Sequence, residues 1–213
     1  MDIIDAHVHI GIPEQRDTET KPLSFDLYNE YADFLRCMTR CGVAQAVIFP
    51  IPHKDFNTES SNEYILEASI QSKGRFIPFC RIDRNLEKNL QSGFKGVKVH
   101  LVYEDLEINR IKRELELIEA YQVPLLLHAK FKNKIPQVKE VLKYAPHLSV
   151  ILAHMGRGHI NTDEGIVENA EGLKKYSRVF FETSTVKDTA PHVSSINKVC
   201  AILGGSRIIF GTD

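Results

Sequence analysis

The chain has 213 residues, with 27 Lys+Arg against 28 Asp+Glu and a formal net charge of -1, enough to bury one domain's core and within reach of a small eight-stranded barrel. At 43% hydrophobic and 26% charged, with 12 Gly and 9 Pro, it is neither collagenous, low-complexity nor wholly disordered. The balanced charge recommends neither nucleic acid nor an anionic membrane as partner, and apolar runs such as Val123 to Leu127 fall far short of the roughly 18 residues of a membrane helix.

Met1-Asp2-Ile3-Ile4-Asp5 lacks the positive start, apolar stretch and cleavage site of a secretory signal, so the cytoplasm is the expected compartment. Short runs rich in Val, Ile and Phe then alternate with segments of helical period, the pattern of repeated βα units around a parallel sheet. Strands are predicted over 3–9, 44–49, 76–81, 96–100, 124–128, 149–154, 179–183 and 207–211. The polar run from Glu14 to Lys21, with Pro22, makes a long first connection expected to act as a mobile lid. After Ser24, Tyr28, Tyr31, Leu35 and Met38 step along one helical face, and Gly42 supplies a C-terminal cap. Ser60 and Glu63, in capping-box spacing, open a second helix. Ile108, Ile111, Leu115 and Ile118 form one stripe that ends before Val123-Pro124. Eight strands and seven helices, with no linker dividing them, predict one domain over 1–213. The cysteines match neither a zinc ribbon nor a disulfide framework, so Cys37, Cys41, Cys80 and Cys200 are all expected to be buried thiols.

Eight such strands can form an open sheet or close into a barrel, and the reactive residues decide between them. His7 and His9 end the first predicted strand, His100 the fourth, His128 the fifth and His154 the sixth, while Asp213 follows the eighth. In a barrel these C-terminal ends converge on one mouth. Residues two apart project to the same side of a strand, so His7 and His9 both turn inward, leaving Ala6, Val8 and Ile10 to face the helices. Imidazole and carboxylate from separate strands suit Zn, Mn, Fe or Ni, and the absence of cysteine from the set favours a catalytic over a structural ion.

Asp5-Ala6-His7-Val8-His9-Ile10-Gly11, the segment from Gly93 to His100, Val123 to His128, Ile151 to Gly156, and the closing Ile209-Phe210-Gly211-Thr212-Asp213 together resemble the amidohydrolase superfamily, particularly its amidohydrolase 2 family. The resemblance covers nearly the whole chain. It implies a (β/α)8 barrel that activates water on one or two divalent ions. By resemblance His7, His9 and His128 are metal ligands, His154 is a further ligand or an acid/base, and Asp213 binds metal and relays the proton. Zinc leads, with Mn, Fe or Ni behind it. Binuclear members carry a carboxylated lysine or a glutamate at the end of strand four. Here Lys98 and His100 share that face, and the expected form is an unmodified Lys98 beside one ion, with two ions the alternative if Lys98 is carboxylated.

Lys98, His100, Arg81, Lys130 and Arg157 are the candidate substrate-binding residues, suited to a carboxylate-bearing small molecule, and Glu182 with Thr183 ends the seventh strand at the same mouth. His53, His147, His159 and His192 fall in loops or helix starts and are expected to be solvated. The expected activity is hydrolysis of an amide, lactone or ester. A non-oxidative decarboxylase on the same barrel is the alternative. A TatD-type nuclease is less favoured, because those proteins favour glutamate at the end of strand four, and a non-catalytic barrel is disfavoured by the intact ligand set. No membrane or nucleic-acid partner is expected, and a homo-oligomer is compatible with the sequence.

The eighth helix of such a barrel is missing after Asp213. Uncovered, the outer faces of strands eight and one, including Ile208 and Phe210, would cost about 25 cal/mol for each Å² left in water. The expectation is therefore that the natural chain continues or that a partner chain covers the gap.

Overall fold

The computed structural model describes residues 2–12, 15, 30–158, 163–184 and 190–213. Its strands are β1 (Ile3–Ile10), β2 (Val43–Pro50), β3 (Phe76–Arg81), β4 (Gly96–His100), β5 (Leu125–His128), β6 (Val150–Leu152), β7 (Val179–Glu182) and β8 (Ile208–Ile209). They are parallel and pair in sequence order. Between them lie α1 (Tyr31–Cys41), α2 (Thr58–Gln71), α3 (Leu86–Gln91), α4 (Lys112–Ala120), α5 (Ile135–Tyr144), α6 (Ile166–Leu173) and α7 (Ala190–Leu203). The cylinder closes through the chain just after β8, where Ala6 N–H donates to the Phe210 carbonyl and Asp213 N–H to that of His7, each at 2.9 Å. The fold is thus a (β/α)8 barrel with seven helices among the described residues.

Period-two alternation sorts the strand residues into two layers. Val8, Ile48, Val97, Val99, Leu125, Leu127, Val150, Leu152 and Phe181 point outward and pack under the helices. Val47, Phe49, Phe79 and Leu126 fill the barrel axis. Gly96 makes room there, since a Cβ at that position would lie 2.3 Å from the Phe79 ring. The expected outward Ala6 is instead an inner-layer residue. A register shift between Asp5 and Val8 inserts one extra residue against β2, so Ala6 and His7 both turn inward.

Several boundaries move for local reasons. Helix α2 begins at Thr58, two residues before the Ser60 capping box, because the Asn57 side chain accepts the Ser60 N–H at 3.0 Å. Gly42 caps α1 in the left-handed region (φ 71°), as its place in the sequence predicts. Strand β6 stops at Leu152, and His154 stands in the tight turn that follows. Of the predicted first helix, 24–29 lies outside the described residues, as do most of the expected lid and His159. The cysteine expectation fails in part: Cys80 is buried, but Cys37 and Cys41 are exposed on the solvent side of α1 and Cys200 is intermediate. His147 is exposed as expected, His53 is partly covered, and His192 is buried beside Asp163 rather than solvated. Outside the barrel Ile3, Ile4 and Phe210 are 45%, 44% and 50% exposed, and Ile208 is partly buried. No described helix crosses a membrane by length and apolarity.

Candidate metal and catalytic centre

The mouth is organised by backbone devices that the side chains require. Asp5, buried in the β1 bulge, accepts His7 N–H at 3.1 Å, Thr212 N–H at 3.0 Å and the Thr212 hydroxyl at 2.6 Å. This carboxylate ties the end of the chain to β1 and so carries Asp213 to the two histidines. His154 and Met155 both adopt φ 56°, and Gly156 follows at φ 68°. Two non-glycine residues in the left-handed region cost on the order of 1–2 kcal/mol each. The turn swings His154 back over the barrel after β6 has ended.

Within that frame His7 Nε2, His9 Nε2 and Asp213 Oδ1 form a near-equilateral triangle with sides of 3.4 Å (His7–His9), 3.4 Å (His7–Asp213) and 3.2 Å (His9–Asp213). Bonds of about 2.0–2.1 Å to one tetrahedral ion put its ligands about 3.3–3.4 Å apart, so these donors fit a zinc-like centre. His7, His154 and Asp213 also offer ligand atoms that all lie within 4.8 Å of one another. His128 joins less directly: its Nδ1 is 3.1 Å from His154 Nε2, and its ring stacks on His100 with centroids 3.8 Å apart.

Glu182, which the sequence placed at the mouth with no assigned role, lies behind His7. Its Oε2 accepts His7 Nδ1–H at 2.7 Å and the Ser184 hydroxyl at 2.8 Å, and its Oε1 accepts the Ser184 N–H. An acceptor at Nδ1 places the proton there and leaves the Nε2 lone pair aimed into the site. Ser184 Oγ also meets His154 Nδ1 at 2.7 Å, the same second support for a second imidazole. Gly211 is required beside this pair, because a Cβ there would stand 2.3 Å from Glu182 Oε1.

Burial, then the neighbouring Lys98, holds His7 well below the usual imidazole range, and the same two causes bring His100 down to about 3 and His154 to about 4. Burial, then His100, lowers His128. All four are neutral at pH 7, the form that ligates metal. Burial would raise Asp213, but the His9 hydrogen bond and the surrounding imidazoles pull its carboxyl below the ordinary carboxylate range. Lys98 is fully buried, its Nζ 3.2 Å from His7 Nε2 and 4.7 Å above the Phe49 ring, and burial lowers it to about 8.

The other candidate substrate contacts divide. His100 Nδ1 accepts Tyr103 N–H at 3.0 Å, which leaves its proton on Nε2, and its ring is sandwiched between His128 and Tyr103. Arg81 is engaged within the wall, Nε on Glu104 Oε1 at 2.6 Å and Nη1 on the Ile51 carbonyl at 3.1 Å, while Glu104 Oε2 accepts His100 N–H at 2.7 Å. Arg81 is thus linked through Glu104 to the backbone of His100. Lys130 meets Glu107 at 2.6 Å on the rim. Arg157 is buried and donates to the Ser184 carbonyl at 3.0 Å. Sequence reasoning assigned no role to Asp5, Glu104, Ser184 or Asn169. Only Asp5 carried a signal, an acid beside the His-x-His pair.

Three comparisons bear on this centre. The family model described as amidohydrolase matches residues 4–213. No curated protein matches the sequence. Among solved structures, a probable 2-pyrone-4,6-dicarboxylic acid hydrolase from Acinetobacter baumannii with citric acid bound is similar over 100% of this chain and 84% of its own, at 18% identity and TM-score 0.77. A 2,6-dihydroxybenzoate decarboxylase from Rhizobium is similar over 100% and 87%, at 16% identity and TM-score 0.67. An amidohydrolase from Burkholderia multivorans with bound zinc is similar over 100% and 84%, at 13% identity and TM-score 0.75. At these identities the three establish the shared barrel.

Proposed function

The chain belongs to the amidohydrolase family, and from that premise we propose that it is a metal-dependent hydrolase cleaving an amide, lactone or ester bond of a small anionic substrate. The observation that carries this is the triangle of His7 Nε2, His9 Nε2 and Asp213 Oδ1, with sides of 3.2–3.4 Å, at the C-terminal mouth of a barrel. Zinc fits the donor set, with Mn, Fe and Ni the alternatives, and one ion is the expected content. His7, His9 and Asp213 would hold it, with His154 and His128 beside them. When bound, a divalent ion supplies a nucleophilic water at neutral pH and polarises the bond under attack.

The protein's own groups do the rest. Glu182 and Ser184 keep the proton of His7 on Nδ1 and orient His154. Asp213 would relay a proton through Oδ2, the carboxylate oxygen not turned to His7 and His9. His154, neutral at pH 7, serves as a second acid/base or as a ligand. Lys98, the Nε2–H of His100, Arg157 and Lys130 would supply the donors for a carboxylate-bearing substrate, with Arg81 linked through Glu104 to His100. The small-acid reading draws support from neighbours named for a pyrone dicarboxylic acid and for a dihydroxybenzoate.

Decarboxylation is the second reading, favoured by the Rhizobium and Sphingomonas paucimobilis decarboxylases among the neighbours. Metal analysis of protein purified without chelators, followed by assays on carboxylate-bearing lactones, esters and amides with carbon dioxide monitored, separates the two. The expected result is about one ion per chain and metal-supported hydrolysis without carbon dioxide release. His7→Ala is expected to lose metal and turnover while its circular dichroism is retained. Carbon dioxide release would move the assignment to the lyase, and a metal-free chain that stays inactive with added ions would overturn both.

A further inference from the structure

Outside the barrel, α1 carries two thiols on one solvent-facing row. Cys37 and Cys41 are four residues apart on a helix that ends at Cys41 and is capped by Gly42, which sets them one above the other on the same face. Both are exposed, and their sulfurs lie 4.0 Å apart. Cys41 stands just before the start of β2, so the pair sits at the end of the barrel opposite to the mouth.

Two chemistries suit a pair of thiols, and the helix separates them. A disulfide needs Cβ atoms about 3.5–4.5 Å apart. Residues one helical turn apart hold theirs at about 5–6 Å, so closing an S–S bond would require the last turn of α1 to unwind. An ion bridging the two sulfurs requires no such change. Bonds of about 2.3 Å set two sulfurs about 3.8 Å apart on a tetrahedral ion and about 4.6 Å apart on a linear one, and the observed 4.0 Å falls between these limits. Thiolates select soft ions such as Cu(I), which distinguishes this pair from the imidazole and carboxylate centre at the mouth.

The surrounding charge bears on which soft ion is favoured. Arg36 and Arg40 of α1 share a groove with Lys73 and Arg75, and of these Arg36 is paired with Asp33. Two thiolates on a monovalent ion carry one net negative charge, and on a divalent ion none. A positive face therefore favours the monovalent complex, modestly, because exposed charges are screened by salt.

We propose that Cys37 and Cys41 form a two-thiolate site that binds one soft monovalent ion of the Cu(I) class on the outer surface of the barrel. Binding replaces two S–H bonds by two S–metal bonds and releases two protons to solvent, with no change of oxidation state. The site is separate from the centre at the mouth and does not depend on the hydrolytic reading above.

The test is a Cu(I) titration of the full chain under nitrogen, with a chromophoric Cu(I) chelator as competitor and cysteine alkylation read by peptide mass spectrometry. Wild type, Cys37→Ser, Cys41→Ser and His7→Ala are compared. Circular dichroism verifies folding, and alanine replaces serine at either cysteine if a variant does not fold. The expected result is a single Cu(I) that protects Cys37 and Cys41 together from alkylation and is retained by His7→Ala. Either serine substitution should weaken its binding at least roughly 100-fold, since each removes one arm of a chelate. A loss confined to one of the two serine variants, protection of one cysteine alone, or equal affinities throughout would overturn the proposal. So would a Cys37–Cys41 disulfide in protein isolated under nitrogen, which would show that the end of α1 opens to form the S–S bond. Loss of the ion in His7→Ala, with both thiols open to alkylation in the loaded wild type, would put the copper at the mouth and overturn it as well.

Discussion

Replacing Glu182 by glutamine tests how the centre is held, because the change keeps shape and removes one charge. Glu182 is fully buried, and every neighbour of its carboxylate is a donor: His7 Nδ1–H at 2.7 Å, Ser184 Oγ–H at 2.8 Å, Ser184 N–H and, more distantly, His154 N–H at 3.4 Å. A glutamine amide has one acceptor oxygen, so its NH2 must face at least one of those donors. Loss of the charge-assisted bond costs about 1.5–3 kcal/mol and a buried donor left unpaired about 1–3 kcal/mol more, giving about 2.5–6 kcal/mol in all. For a chain of this size that lowers Tm by roughly 5–24 °C. If the amide NH2 faces His7, the ring must move its proton to Nε2, and the lone pair aimed at the metal is lost. Metal affinity should therefore fall about 10–100-fold. Thermal unfolding monitored by circular dichroism and a competitive Zn2+ titration measure the two effects on one preparation. A glutamine variant with Tm within about 2 °C of wild type and unchanged metal affinity would refute the argument that this carboxylate sets the tautomer of His7.

Other perturbations follow from packing and burial. Gly96→Ala places a Cβ 2.3–2.5 Å from three atoms of the Phe79 ring and should cost about 1–3 kcal/mol in urea unfolding, with Phe79→Leu in the same chain restoring part of it. Asn169 donates to the Lys132 and Gly156 carbonyls at 3.0 and 2.9 Å and accepts Lys134 N–H at 2.9 Å. Asn169→Ala should therefore lose roughly 2–4 kcal/mol and speed amide exchange in the loops after β5 and β6; exchange confined to α6 would contradict this. Lys134 is buried with its Nζ on the Ala129 carbonyl at 2.8 Å, and burial lowers it from 10.5 to about 8. Between those values the unfolded chain holds a proton that the folded chain has released, so stability rises with pH across that window and is flat below it. Lys134→Met should remove the rise, and its advantage over wild type, on the order of 1–3 kcal/mol at pH 7, should shrink toward pH 10.5; an advantage that grows with pH would reverse the assignment.

The alternation of short apolar runs with helical segments determined the eight strands and the seven helices, because strand burial on both faces leaves a composition signal that needs no knowledge of contacts, while the histidines and Asp213 at the strand ends pointed to a barrel over an open sheet. Strands β3 and β4 begin and end where the sequence places them. The position of His7, His9, His100 and His128 at strand ends was legible for the same reason, since a strand terminus is where apolar periodicity stops.

What tertiary structure decided is which of those groups meet. The bulge at Asp5 turned Ala6 inward against the simple alternation, and the Asp5 carboxylate there accepts a hydrogen bond from Thr212, 207 residues away in sequence. The left-handed backbone at His154 and Met155 is invisible to propensity, which assigns such dihedrals to glycine. Burial on α1 also escaped the sequence, where Cys37 and Cys41 read as core thiols and stand exposed. Arg81 was legible as a cation at a strand end, but its engagement by Glu104 depends on the path of the loop after β4. The tautomer of His7, on which the chemistry turns, is set by Glu182 across 175 residues of chain: residue types predict which ligands are available, and only long-range contacts orient them.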